Sequence, residues 1–128
     1  MGDLAQAIEQ ARVEGRLPCS RAFAVASRLG LEPGRVGEEA TRRGLKVSLC
    51  QLGLFGHAVE GKGRIVKAAV DVPPVVERAL RSRLAEGKLP CRTAWDAAEL
   101  LSLSRLDVAN AAEGLGIRIS ACQLGCFD

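Results

Sequence analysis

The sequence predicts a mainly α protein of two tandem three-helix units, each followed by a short β-strand, packed as a pseudo-twofold duplicate. Three observations predict it. The segment Glu14-Gly15-Arg16-Leu17-Pro18-Cys19 returns 72 residues later as Glu86-Gly87-Lys88-Leu89-Pro90-Cys91, and Cys50-Gln51-Leu52-Gly53 returns at the same offset as Cys122-Gln123-Leu124-Gly125. Over 14–55 against 86–127, 18 of 42 positions are identical without a gap, and an ungapped match of that length marks a duplication. Finally, hydrophobic residues make up 48% of the chain but aromatics only 3%. The core must then be Leu, Val, Ile and Ala, which suits closely packed helices. The boundaries follow the repeat: 1–56 is the first unit, 57–71 a linker and 72–128 the second.

Each copy opens on an amphipathic helix. In the first, Asp3 is the expected N-cap, and Leu4, Ala7, Ile8 and Ala11 share a face. Gly15 is read as the residue that closes this helix. In the second copy the helix begins after Pro73-Pro74, with Val76, Ala79, Leu80 and Leu84 on one face and Gly87 closing it. A second helix starts near Pro18, where a missing N–H costs nothing. It runs to about Leu29, with Ala22, Val25, Ala26 and Leu29 inward. Gly30 supplies the turn and Pro33 starts a third helix, whose Val36 and Ala40 face the core. Gly44 ends it, and Leu45 to Cys50 alternate as a short strand does. Gly56, Gly61 and Gly63 read as a loop, and Arg64 to Val70 as a further strand. Leu17/Leu89, Ala26/Ala98, Leu29/Leu101 and Val36/Val108 are expected to be buried, and the copies to share one core.

The string Ala26-x-x-Leu29-Gly30-Leu31-x4-Val36-x3-Ala40 resembles the helix-turn-helix signature of bacterial transcription regulators. The small residue lets two helices touch, Gly makes the turn and Val locks the next helix. Copy two keeps Ala98, Leu101, Leu103, Val108 and Ala112 but has Ser102 at the turn. The trailing strand points to a winged variant. Thr93-Ala94-Trp95-Asp96-Ala97 is similar to a string in ModE-type molybdate-responsive regulators, which adds a metal-oxyanion effector to the readings.

That resemblance implies a DNA-binding transcriptional regulator whose third helices enter the major groove. Arg35, Glu38, Glu39 and Arg42 would face the groove in copy one, and Arg105, Asp107, Asn110 and Glu113 in copy two. The candidate DNA contacts are Arg35, Arg42, Arg43, Lys46, Arg105, Asn110 and Arg118. Arginines suit guanine or phosphate, and Asn110 suits adenine. The acids oppose this reading, since phosphate neutralisation dominates affinity. Net charge is +3 and the isoelectric point is near 8.7; that permits a polyanion without requiring one. The alternative is a non-enzymatic protein-interaction or ligand-sensing module on the same scaffold, with a protein in place of DNA as partner.

A third reading is a cysteine-based metal or redox sensor. Cys19 and Cys91 begin helices, where the N-terminal dipole favours a thiolate. Cys50 and Cys122 follow the strands, and all four would meet if the copies pack about an axis. No Cys-x-x-Cys occurs and His57 is the sole histidine, so the spacing is not a zinc motif. The expectation is four small buried hydrophobes, with no metal and no cofactor. Cys126 is unmatched, because Leu54 holds its place in copy one. Gln51 and Gln123 are assigned to backbone turns, and His57 to an exposed loop.

No nucleophile–base pair, phosphate loop or paired carboxylates appear, so the protein is read as not an enzyme. No stretch is long and apolar enough for a membrane span, and the N-terminus lacks a signal-peptide pattern. The reading is cytoplasmic, with reduced cysteines. Duplication makes a pseudo-dimer within one chain, and further homo-oligomers are compatible with it.

Overall fold

The computed structural model describes residues 2–57 and 63–128. Gly61 of the glycine loop lies outside them. The chain is mainly helical, with four short strands among the described residues. The first half runs α1 (Gly2–Ala11), β1 (Arg16–Pro18), α2 (Cys19–Leu29), α3 (Pro33–Arg42) and β2 (Lys46–Ser48). The second runs α4 (Pro74–Arg81), β3 (Leu89–Pro90), α5 (Cys91–Leu101), α6 (Arg105–Gly114) and β4 (Ile119–Ser120). The element order is therefore the same in both halves.

Local chemistry sets these elements. Asp3 lies inside the first turn of α1 rather than capping it, where a carboxylate still favours the helix dipole. Gly15 and Gly87 do not close helices. Glu14 and Gly15 both have positive φ, 51° and 79°, as do Glu86 and Gly87, 53° and 79°. Two successive left-handed residues make a type I′ turn. It joins Val13 to Arg16 and Ala85 to Lys88 in tight antiparallel bridges. Pro18 and Pro90, both extended, sit at the N-caps of α2 and α5.

The helix-to-helix turn is built alike in both halves. Gly30 takes φ 67° and Ser102 takes φ 56°. The next amide then returns to the helix, Leu31 N to Ala26 O at 2.9 Å and Leu103 N to Ala98 O at 2.9 Å. Ser102 thus performs the glycine's turn despite its side chain. Ser104 caps α6 by accepting from the Asp107 amide at 3.0 Å.

The strands do not form wings. β2 pairs in parallel with β1, Leu17 opposite Val47, and β4 pairs in parallel with β3, Leu89 opposite Ile119. A wing requires an antiparallel hairpin, whereas these ladders fasten the end of each unit to its own start. Arg64 to Val70 form no strand either. The segment lies along α6, with the Lys67 and Ala69 amides donating to the Asn110 side-chain oxygen at 2.8 Å and its carbonyl at 3.0 Å. Those amides find partners on a helix, which leaves them none for a ladder.

Leu17, Leu89, Val36 and Val108 are fully buried, and Ala26 and Ala98 nearly so. Leu29 and Leu101 are only half-buried, since each is the last residue before an exposed turn. The core is not single. One cluster holds Leu4, Ile8, Leu17, Val36 and Ala40 with Leu124 of the second half. The other holds Leu80, Leu89, Val108 and Ile117 with Cys50 and Leu52 of the first. Each half thus sends its terminal loop into the other's core. Trp95 packs against both clusters and meets Phe23 at 4.4 Å between ring centroids.

Candidate functional site

The exchange of terminal loops decides what the third helices present. On α3, Gly34 lies beside the Gln123 carbonyl, and a methyl at Gly37 would strike the Leu124 backbone. On α6, Leu106 packs on Gly53, and Gly114 abuts the Ala69 carbonyl. One side of each third helix is therefore covered by the chain itself.

The side chains assigned to DNA fall into two sets. Arg35, Arg42, Arg43 and Lys46 are exposed. Three of them face carboxylates: Arg35 to Glu38 at 3.8 Å, Arg42 to Glu39 at 3.3 Å and Arg43 to Glu9 at 2.9 Å. The Arg43 hydrogen bond holds the Glu9 carboxyl below its usual range against the opposing effect of desolvation, with the charges of Arg12 and Arg43 adding to it. Copy two is more committed internally. Arg105 stacks over the Trp95 ring at 3.7 Å and donates to the Gln51 side-chain oxygen. The Asn110 side-chain oxygen already accepts from Lys67. Arg118 is exposed but stands apart from these, at a cleft of about 730 Å³. Leu54, Phe55, Arg64, Lys88 and Phe127 line that cleft too. Phe55 and Phe127 meet there edge to face at 6.5 Å.

The cysteines come together where the halves exchange loops. Gln51 donates to the Cys19 sulfur at 3.6 Å and Gln123 to the Cys91 sulfur at 3.4 Å. The glutamines thus bind their own unit's cysteine, not a backbone turn. Cys19, Cys50 and Cys91 are buried, Cys122 half-buried and Cys126 exposed, all as free thiols. Burial pushes the Cys19 thiol up to about 11, and the charges of Cys50 and Cys91 add to it while Gln51 opposes. Burial likewise raises Cys91, with Cys122 and Cys50 adding and Gln123 opposing. A helix N-terminus therefore does not make these two thiolates, because desolvation outweighs the dipole. Among the described residues no group of three or more His, Cys, Asp or Glu is placed to hold a metal ion.

Cys122 departs from this pattern. Its thiol is lowered to about 6, chiefly by the neighbouring Cys126 thiol, against the opposing effect of burial and with help from the polar backbone of its own loop. The loop that does this closes through Cys122 N to Phe127 O at 3.1 Å and Gly125 N to Cys122 O at 2.9 Å. The first half repeats both bonds, Cys50 N to Phe55 O at 3.1 Å and Gly53 N to Cys50 O at 2.9 Å. Leu49 and Ala121, just before these loops, both hold a left-handed φ of 51°. Such strain in a non-glycine persists only where its surroundings enforce it. His57 is half-buried, not exposed, with its Nε2 2.8 Å from the Cys50 carbonyl.

The repeat points to Cys50 and Cys122, but the Arg105–Trp95–Gln51 contact leaves no mark in it, since Pro33 and Phe23 stand at the matching places of copy one. No protein family, curated protein or solved structure matches the chain.

Proposed function

We propose that the chain is a non-enzymatic interaction or ligand-sensing module: two helix-turn-helix units joined about a pseudo-twofold axis, which do not read DNA with their third helices. The observation that carries this is the coverage of α3 by Gln123-Leu124 and of α6 by Gly53, Lys67 and Ala69. A reading helix must present its N-terminal side chains to base edges. Here Arg105 and Asn110 are engaged within the chain, and the exposed arginines of α3 alternate with carboxylates that repel phosphate.

The axis is supported by contacts that recur with partners exchanged. Phe23 touches Trp95, its own counterpart in the repeat, as residues beside a twofold axis do. Gly37 meets Leu124 and the matching Ala109 is buried in the cluster that takes Leu52.

The cleft beside Arg118 supports the ligand-sensing form. Its size is that of a small-molecule site. Arg64 pairs with Glu113 at 2.9 Å, which leaves Lys88 and Arg118 against Asp128 in its lining, and two phenylalanines supply aromatic surface. A small ring-bearing anion fits this chemistry.

Two titrations test the reading. Duplex DNA followed by fluorescence anisotropy at low salt is expected to show no more than the weak, salt-sensitive binding of any basic surface, roughly 10⁻⁴–10⁻⁶ M. Tight binding abolished by Arg42→Ala with Arg43→Ala would restore the regulator reading. Adenosine monophosphate, as a ring-bearing anionic probe, is expected to raise the melting temperature of the protein but not of Arg118→Ala. An equal shift in both proteins removes the cleft from the proposal.

A further inference from the structure

We infer that each half holds a phosphate group between two cations that face each other across its strand ladder, Arg16 with Lys46 in the first half and Lys88 with Arg118 in the second. The register carries this. Arg16 lies opposite Lys46 in the β1–β2 pair. In the β3–β4 pair Leu89 lies opposite Ile119, and its amide donates to the Arg118 carbonyl at 2.8 Å. The same register sets Lys88 opposite Arg118. Paired strands run about 4.8 Å apart, and successive side chains point to opposite faces. Leu17 and Leu89 are fully buried, so the cations beside them stand on the outer face of each ladder. All four are exposed.

Like charges on facing residues of a sheet repel and weaken it. Among the described residues none of the four cations forms an ion pair that would relieve this. The repeat exchanges the residues yet keeps the charge, since Arg16 corresponds to Lys88 and Lys46 to Arg118. Packing does not require cations there, because all four side chains are exposed. A doubly charged phosphate group accounts for them. One guanidinium takes two of its oxygens and the ammonium a third, and the anion between them turns repulsion into attraction. The surroundings of the two pairs differ. Phe55 and Phe127 are counterparts in the repeat, yet both line the cleft of Lys88 and Arg118. The second site therefore rests on the cleft reading above and gives its anion a place. The first site does not rest on that reading and offers charge alone.

The test titrates inorganic phosphate into the isotope-labelled full chain at fixed ionic strength, with chloride as the balancing anion, and follows backbone amide resonances. Two saturable sets of shifts are expected, one at Arg16 and Lys46 and one at Lys88 and Arg118. Lys46→Gln should lose the first set and keep the second, and Arg118→Gln should do the reverse. In chloride alone neither variant should melt below the unaltered protein, because each removes one of two facing charges. In phosphate the unaltered protein should gain more in melting temperature than either. If a variant fails to fold, Arg16→Gln or Lys88→Gln replaces it with the same expectation. Shifts that do not saturate, or that survive both substitutions, overturn the proposal, as does a melting temperature in chloride lowered by Lys46→Gln. Adenosine monophosphate separates this proposal from the cleft reading. Phosphate shifts at Arg16 and Lys46 with none at Phe55 and Phe127 from the nucleotide would keep the anion sites and remove the ring-bearing ligand. Nucleotide shifts at the phenylalanines, with none at Arg16 and Lys46 from either probe, would overturn the paired sites and leave the cleft.

Discussion

Single residues carry most of the asymmetry between the halves. Ser102 occupies a left-handed turn that its counterpart Gly30 fills without strain. A side chain in that conformation costs roughly 1–2 kcal/mol. Ser102→Gly is therefore expected to stabilise the protein by up to about 1 kcal/mol, since glycine also gains entropy when unfolded; the midpoint of urea denaturation would rise. Gly37→Ala runs the other way. Its methyl would meet the Leu124 backbone, and overpacking of this kind costs typically 1–3 kcal/mol, or roughly that, with more where backbone must move. The same denaturation curve reports it. The thiols add a pH dependence. Cys19 ionises near 9 when free and near about 11 when folded, so the folded state keeps the proton longer. The stability this confers is complete below the unfolded value and is lost as pH rises through the folded one. Melting temperature should fall between about pH 9 and 11, and less steeply in Cys19→Ala. These effects were hidden in the sequence because burial, not helix position, sets the thiol, and burial is settled only when distant segments pack around it.

At the scale of elements, the helices were legible and their fastenings were not. Apolar spacing located the three helices of each half to within a few residues, because Leu4, Ile8, Val36 and Val108 must face a core. Glu14-Gly15 looked like a helix end because glycine closes helices often. It is instead a type I′ turn, and the tripeptide before α2 pairs with the strand after α3. The alternation of Leu45 to Cys50 showed the strand after α3, but its two- or three-residue parallel partner before α2 leaves no periodic trace. The segment 64–70 had a strand's composition but met Asn110 before any strand edge. The equal geometry of the two turns makes a measurable claim. Gly15→Ala and Gly87→Ala both force alanine to a φ of 79° with open space around the new methyl. They should cost the same, about 1–2 kcal/mol each, and their sum should be additive because the turns share no partners. Asn110→Ala should expose the Lys67 amide to faster hydrogen exchange while removing about 0.5–1.5 kcal/mol.

For the whole molecule, the duplication announced two alike units but not how they join. The shared core expected from small unit size became two cores, each completed by the other half's terminal loop. A unit of this length buries too little of its surface to be more than marginal alone, and here it would also lack Leu124 or Leu52. Fragments 1–71 and 72–128 are accordingly expected to show no cooperative thermal transition when separate. Mixed in equal amounts they should regain one, seen by far-ultraviolet circular dichroism. Independent cooperative melting of either fragment would mean that the exchanged loops contribute little.

The loop exchange also bears on how such a chain changes over generations. In a pair of identical subunits, any inherited alteration arrives on both sides of the junction at once, and both copies must tolerate it. Joined head to tail, the two sides mutate separately. Gly37 stays bare against Leu124 while Ala109 carries a methyl, and Phe23 keeps one ring plain while Trp95 takes Arg105 over its face. A cation seated on one ring of a duplicated pair is a specialisation that two identical subunits have no means to inherit.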